Sequence, residues 1–280
     1  MKLTFNSFEF DFLRKTYIMG ILNVTPDSFY DGGRYYSVEK AISHGLKLIE
    51  QGADILDIGG ESTRPGAHPI PLDEELRRVI PVIDGIAKRV KVPISIDTYK
   101  AKVAEEALNY GASIINDISG LRFDPEMLYV AAKYKVPVII MHVKGTPKDM
   151  QINPTYNALI PEIIEYLRES IIIAKEAGVE ENKIIIDPGI GFGKMPEHNL
   201  KIIKNLNEFT ALGKPILIGV SRKSFIGKIL NDAPPQERLE GTAAAVAVSI
   251  IKGANVVRVH DVEYISKVVK VVDAIKFCKI

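Results

Sequence analysis

The chain of 280 residues reads as a single-domain (β/α)8 barrel, an α/β fold. Three observations predict it. Strand-like and helix-like segments alternate eight times along the sequence. Nearly every strand-like segment ends in a polar or charged residue, in the order Asn23, Asp57, Asp97, Asn116, His142, Asp187, Ser221 and His260. The long connections follow the strands, whereas the connections leading back are short. An apolar strand fixes its own last residue in space, so a closed sheet gathers all these side chains at one rim. Barrels of this kind build active sites there, which makes an enzyme the leading reading.

The strands fall at about 16–23, 55–60, 93–97, 114–118, 137–142, 184–187, 215–220 and 256–260. They are rich in Ile and Val and apolar on both faces, as buried parallel strands are. Apolar residues recur at helical spacing over 38–51, 74–90, 101–109, 125–135, 159–177, 200–212, 238–252 and 262–277. Strand then helix, repeated, predicts a parallel sheet with its helices outside. Short returns such as Gly111-Ala112-Ser113 and Lys91-Val92 contrast with three long strand-to-helix loops over 24–37, 61–72 and 143–157. Long loops in compact domains are usually functional or disordered. Residues 1–15 form a prelude, read as a hairpin closing the barrel bottom.

Composition narrows the function. A hydrophobic content of 46% supports a large core, and a formal charge of +1 gives no bulk field for nucleic acid or an anionic membrane. The lone Cys278 rules out an internal disulfide framework and a Cys-based zinc site. The N-terminus lacks a signal-peptide core, and no apolar run approaches membrane-spanning length. The expectation is a cytoplasmic protein with small-molecule partners.

The first long loop carries Asn23, Pro26, Asp27, Phe29, Asp31, Gly32 and Gly33. Asn23 offers a neutral amide oxygen suited to Mg2+. Pro26 and the glycine pair read as hinge and turn elements of a lid, with Phe29 and Asp31 over a flat substrate; an ordinary surface turn is the rival. The second loop runs from Gly59 and Gly60 through Glu61, Ser62, Thr63, Arg64 and Pro65 to Gly66. Its hydroxyls and guanidinium suit an anion or carboxylate. Gly-Gly followed by Glu is not a phosphate-loop pattern.

Asp97, Asn116 and Asp187 end the third, fourth and sixth strands. Two carboxylates and an amide can read a flat heterocycle through its N–H donors, the pattern an amino-pyrimidinone edge presents. Helix capping is the rival role, strongest for Asp97, which precedes Thr98 at a helix start. After Asp187, Gly189, Gly191 and Gly193 let the backbone turn sharply near a ligand, with Phe192 as a platform. This segment lacks a dinucleotide fingerprint. Strand seven leads into Ser221-Arg222-Lys223-Ser224, and strand eight ends in Arg258-Val259-His260-Asp261. Side chains alternate along a strand, so Arg258 and His260 share a side. With Lys223 they are expected to form a cationic anion site, where barrels often bind phosphate. His142 has no second His at helical spacing, so a core or supporting role is expected.

These motifs, in order from Met19 to Asp261, resemble the dihydropteroate synthases, pterin-binding enzymes of folate biosynthesis. The first signature is Met19-Gly20-Ile21-Leu22-Asn23-Val24-Thr25-Pro26-Asp27-Ser28-Phe29 with Asp31-Gly32-Gly33. The second runs from Asp57 to Gly66. Ser95-Ile96-Asp97-Thr98, Asn116 to Gly120, Asp187 to Gly193, Ser221 to Ser224 and Arg258 to Asp261 complete the set. One departure is Val143, where the family usually has Met. The resemblance implies that p-aminobenzoate displaces diphosphate from (7,8-dihydropterin-6-yl)methyl diphosphate to give 7,8-dihydropteroate. It implies Asp97, Asn116, Asp187 and Lys223 at the pterin, with Met141, Phe192 and Gly219 also lining the substrate site. It implies Asn23, Thr63, Arg258 and His260 at the diphosphate, with Mg2+ at Asn23. Ser224 would receive the aminobenzoate carboxylate, and Arg64 would help bind substrate. Phe29, Asp31 and Pro65 would close over the second substrate. Asp31, Lys223, Arg258 and His260 are the expected catalytic residues.

The family is commonly dimeric, and the seventh helix, with Gly241-Thr242-Ala243-Ala244-Ala245-Val246-Ala247-Val248, is apolar nearly all round, so a homodimer is expected. Two rivals differ in class. A corrinoid-dependent methyltransferase would share Asp97, Asn116 and Asp187 but would not need Thr63, Arg64 or the Arg258/His260 corner. A non-catalytic pterin or phosphate binder leaves the lid with Asp31 unexplained.

Overall fold

The computed structural model describes residues 1–25 and 34–278. A hairpin opens the chain, β1 (Lys2–Phe5) against β2 (Phe8–Asp11). The parallel strands follow: β3 (Tyr17–Asn23), β4 (Ile55–Gly59), β5 (Ile94–Asp97), β6 (Ile114–Asp117), β7 (Val138–Met141), β8 (Ile184–Asp187), β9 (Leu217–Ile218) and β10 (Val256–Val259). They form one sheet in the order β8-β7-β6-β5-β4-β3-β10-β9. A parallel bridge between Ile186 and Ile216 joins its two edges, so the sheet closes on itself.

The helices between the strands are α1 (Arg34–Glu50), α2 (Leu72–Ala87), α3 (Ala101–Asn109), α4 (Glu126–Tyr134), α5 (Leu159–Glu176), α6 (Pro196–Lys204), α7 (Ser224–Ile229), α8 (Leu239–Ile251) and α9 (Val262–Lys276). The helical pattern over 200–212 is the one substantial change. It divides into α6, which begins earlier at Pro196, and a 3-10 segment, Leu206–Leu212. Asn205 lies between them outside helical geometry (φ −109°, ψ 22°), and Gly213 ends the second piece in the left-handed region. Asn is a weak helix former, and Gly adopts positive φ without steric cost. The strand expected over 215–220 shortens to Leu217 and Ile218, with Ile216 before it making the closing bridge.

Burial divides the barrel into two ends. At the bottom, Leu3, Phe5, Phe10 and Phe12 pack with Tyr17, Met19, Ile55, Ile114, Ile139, Ile185, Leu217 and Val256. The hairpin thus plugs the barrel, as expected of the prelude. Phe10 sits edge-on to Tyr17 at 4.5 Å between ring centres and near Phe5 at 5.8 Å. Asp273 on α9 holds the entry to β3 by accepting from Thr16 N (2.8 Å) and Thr16 Oγ1 (2.7 Å). A second apolar core fills the space between the outer strand faces and the helices. The polar strand ends are left to the opposite rim.

The plug and the rim are separate in space, which gives a test. Phe10→Ala should cost about 3–5 kcal/mol of stability in urea unfolding, the range for a deleted buried aromatic, without altering the affinity of the rim for its ligand.

Candidate active site

Adjacent strands place Asn23, Gly59, Asp97 and Asn116 at one level, because Asn23 pairs with Gly59, Gly59 with Asp97, and Asp97 with Asn116. Glycine at position 59 leaves the rim open beside Asp97; an added Cβ there would lie 3.4 Å from the Asp97 Cβ. One layer deeper, contacts run across the lumen. Arg258 on β10 donates through Nε to Asp57 Oδ2 on β4 (2.6 Å) and through Nη2 to Asp97 Oδ2 on β5 (2.5 Å). Asn116 Nδ2 donates to the same Asp57 oxygen at 3.1 Å. In none of these three contacts are the two strands neighbours in the sheet, so the side chains meet inside the barrel. Asp57 is fully buried, and Asp97, Asn116 and Asp187 nearly so.

Capping does not account for the acids. Helix α3 begins after Lys100 with no side-chain cap, so Asp97 caps nothing. Asn116 spends its amide on Asp57, which fixes the flip and turns its oxygen away from that carboxylate. Asp97 Oδ1 is buried without a hydrogen-bond partner, an acceptor left for a ligand N–H. Asp187 Oδ1 accepts from Gly189 N (2.7 Å) at the turn that follows it. That turn requires glycine: Gly189 has φ +74°, and a Cβ would approach the His142 carbonyl oxygen to 1.9 Å.

Electrostatics tie the cluster together. Burial pushes the Asp97 carboxyl up to about 7, against the pull of Arg258 and with the repulsion of Asp57. Burial likewise raises Asp187, opposed by Gly189 N–H, Lys223, Lys194 and Arg258. Burial lowers Lys223 to about 8, with Asp187 and Asp97 favouring its charge and Arg258 opposing it. Burial works against the Arg258 charge too, but Asp57 and Asp97 hold the guanidinium protonated above its ordinary range. Lys223 donates to the Ile190 carbonyl and lies 4.3 Å from the centre of the Phe192 ring. Ile118, Met141, Val143 and Met150 form an apolar patch with Tyr99 and Phe192 against it. A flat ring therefore has polar partners at its edge and apolar partners at its faces.

The expected cationic corner differs in two respects. Arg258 is already paired with two carboxylates. His260 is held neutral at pH 7, because burial and then Arg258 lower its imidazole to about 4; its Nδ1 lies 3.0 Å from Ser221 Oγ. Arg64, though exposed, is close enough to oppose the His260 charge. Thr63 is half-buried and Pro65 exposed in the same loop. Ser224 is exposed at the first position of α7, and Gly219 lies beside Arg258, a Cβ there meeting the Arg258 Cβ at 3.9 Å. Asn23 is half-buried at the end of β3. Pro26, Asp27, Phe29 and Asp31 lie outside the described residues.

Two features escape the sequence reading. Asp57 stands at a strand end yet had no assigned role, although it bridges Arg258 and Asn116. Lys194 is also buried, with Nζ 2.8 Å from His142 Nδ1 and 2.9 Å from the Phe192 carbonyl oxygen. Burial lowers Lys194 well below its ordinary value and His142 to about 2. His142 thus supports the Phe192 loop from behind, the supporting role expected of it.

Buried acids beside an apolar patch suit a flat heterocycle such as a pterin. The family model described as pterin binding enzyme matches residues 19–260. A dihydropteroate synthase of Bacillus subtilis is 54% identical over 260 residues, covering 93% of this chain and 88% of the relative. The crystal structure of the Clostridium difficile dihydropteroate synthase in the presence of pteroic acid superposes with a TM-score of 0.91 at 48% identity, covering 96% of this chain and 100% of the other. That of the Xanthomonas albilineans enzyme with 4-aminobenzoic acid gives 0.90 at 43% identity, covering 95% of each. The chain belongs to the pterin-binding enzyme family and, within it, to the dihydropteroate synthases.

The Arg258 pairing carries a prediction. Arg258→Met leaves two buried carboxylates without their cation, which should cost about 3–5 kcal/mol at pH 8. Asp97 is then pushed higher still, so the folded state binds its proton more tightly than the unfolded chain does. Stability of the variant should recover as pH falls toward 5, in urea titrations run beside the unmodified protein.

Proposed function

We infer that this chain is the transferase of folate biosynthesis that joins (7,8-dihydropterin-6-yl)methyl diphosphate to p-aminobenzoate, giving 7,8-dihydropteroate and diphosphate. The observation that carries the reading is the cross-lumen set of Asp57, Asp97, Asn116 and Arg258 beside Asp187 and Lys223. In the reaction the methylene–oxygen bond breaks and its electron pair leaves with diphosphate. The aniline lone pair forms the new C–N bond, and the nitrogen then loses a proton. The aniline is weakly basic and already unprotonated at neutral pH, so attack needs no strong general base. We favour a dissociative displacement with positive charge growing on the methylene.

We assign the roles as follows. Asp187, Asp97 and the Asn116 oxygen accept from the pterin N–H edge, with Met141 and Phe192 against the ring faces and Lys223 beside it. Gly219 lines the substrate site next to Arg258. Arg258, His260, Thr63 and Asn23 take the diphosphate; neutral His260 serves it as a hydrogen-bond donor or takes up a proton as the anion arrives. Arg64, Pro65 and Ser224 face the aminobenzoate. Asp31 is proposed to offset positive charge on the methylene.

Mg2+ belongs to the same proposal. Among the described residues no group of three His, Cys, Asp or Glu side chains could hold a metal, and Asn23 offers one neutral oxygen. That donor set fits an ion held largely by substrate phosphate and water, the usual manner of Mg2+. When bound, the ion would neutralise charge developing on the leaving diphosphate.

A homodimer is supported by apolar exposure on neighbouring helices: Val248 and Ile251 on α8, Val271 and Ile275 on α9. No helix among the described residues is long and apolar enough to cross a membrane. A charged diphosphate ester does not cross membranes either, so we place the reaction in the cytoplasm, where that ester would be made.

The decisive assay mixes the purified protein with the pterin diphosphate, Mg2+ and p-aminobenzoate. Diphosphate release that depends on aminobenzoate is expected. A folded protein that releases none, or that instead transfers a methyl group from methyltetrahydrofolate to a corrinoid, would overturn the reading. A second test uses pH. Where the pterin N–H donors meet an ionised Asp97, affinity should level off about a unit above pH 7 and fall as pH drops through 7, by up to about tenfold per pH unit, as Asp97 takes up a proton. Calorimetry of Asp97→Asn should show weaker binding without the part of this dependence centred near pH 7.

A further inference from the structure

A buried charge cluster behind the second loop has no part in the mechanism. Lys100, the residue before α3, is largely buried, and its ammonium has three protons to donate. They go to Glu61 Oε2 (2.5 Å), Glu75 Oε2 (2.6 Å) and the Ile70 carbonyl oxygen (2.9 Å). Glu61 begins the loop that carries Thr63, Arg64 and Pro65, and Ile70 lies at its end. Glu75 is on α2, which the loop leads into, and is 1% exposed. One ammonium therefore pins both ends of the loop to the helix behind it. Glu61 completes the neck: Oε2 also accepts from Ile70 N (3.2 Å), and Oε1 from the Tyr99 hydroxyl (2.7 Å). Farther out, Gly66 N donates to the Pro147 carbonyl oxygen (2.9 Å), so the tip leans on the loop after β7.

We propose that Lys100 is a positioning residue for the aminobenzoate half of the reaction, acting through the 61–70 loop; the proposal rests on the synthase reading above. Thr63, Arg64 and Pro65 lie between the two fastenings, so their placement follows from the neck. The segment 97–100 also joins this neck directly to Asp97, and Thr98 N is held by the Asn116 carbonyl oxygen (3.1 Å). The Asp97 end of this stretch is thus fastened by β6 and not by the Lys100 ammonium. Without the ammonium, Glu61 and Glu75 repel each other and the neck opens. The second substrate must then order the loop as it binds, and misplacement of about 1 Å can reduce turnover a hundredfold.

The test compares the full-length protein with Lys100→Met, Lys100→Arg and Glu61→Gln. Expected is a rise of about tenfold or more in KM for p-aminobenzoate in Lys100→Met, with calorimetric affinity for a pterin lacking the diphosphate, which does not reach Thr63, within about twofold. Lys100→Arg should recover part of the loss, and Glu61→Gln should show a smaller change in the same direction. Amide hydrogen exchange over 61–70 should quicken in Lys100→Met, a reading that does not depend on turnover. An unchanged aminobenzoate KM with unchanged exchange overturns the proposal, as does pterin affinity falling in step with aminobenzoate affinity. If Lys100→Met does not fold, Glu61→Gln decides by the same two readings. Failure of the unmodified protein to release diphosphate would strike the synthase reading instead, and the exchange result would still judge the neck.

Discussion

A single guanidinium, Arg258, is held across the barrel lumen by carboxylates from two other strands, and the remaining site geometry depends on that pairing. Charges buried this deeply persist only when paired and hydrogen-bonded. Asp57 and Asp97 therefore commit β4 and β5 to face β10, and Asn116 joins through Asp57. The arrangement needs a closed sheet, which the bridge between Ile186 and Ile216 completes. It leaves Asp97 with one oxygen on Arg258 and one without a partner, so in the proposed reaction recognition of the ring and of the leaving group would meet in one ion pair. Donors and acceptors are set before substrate arrives, the condition under which electrostatic stabilisation is most effective.

The apolar hairpin plug, the outer core and the polar rim divide the work of the barrel. Phe10 and its neighbours stabilise the bottom, far from any polar strand end. At the rim, Gly189 lets the chain turn tightly against the His142 carbonyl, while burial raises the Asp97 and Asp187 carboxyls. Such a rim is costly to fold, and the large core of Ile and Val side chains offsets that cost.

Much of this was legible in the sequence. The strand periodicity, the polar strand ends and the loop asymmetry point to the barrel and to the gathering of Asp97, Asn116 and Asp187 at its rim, but they set Arg258 and Lys223 apart in a cationic corner, whereas Arg258 lies among the acids. What was not legible depends on closure of the sheet. The pairing of Arg258 with Asp57 joins residues 201 positions apart, and nothing local to either announces it. The neutrality of His260 follows from burial beside Arg258, which no spacing reveals. Lys194 reads as a solvated loop lysine until the turn at Gly189 folds its segment back over His142. The helical pattern over 200–212 is apolar at helical spacing on both sides of Asn205, so periodicity alone does not show the break.

The most direct measurement is a double-mutant cycle on affinity for the pterin diphosphate, using Asp57→Asn, Arg258→Gln and the double variant in calorimetry. If one ion pair organises the site, the double variant should bind nearly as well as the worse single variant, because either change alone breaks the same unit. Losses that simply add would mean that Asp57 and Arg258 act independently, and the lumen pairing would not be what assembles this site.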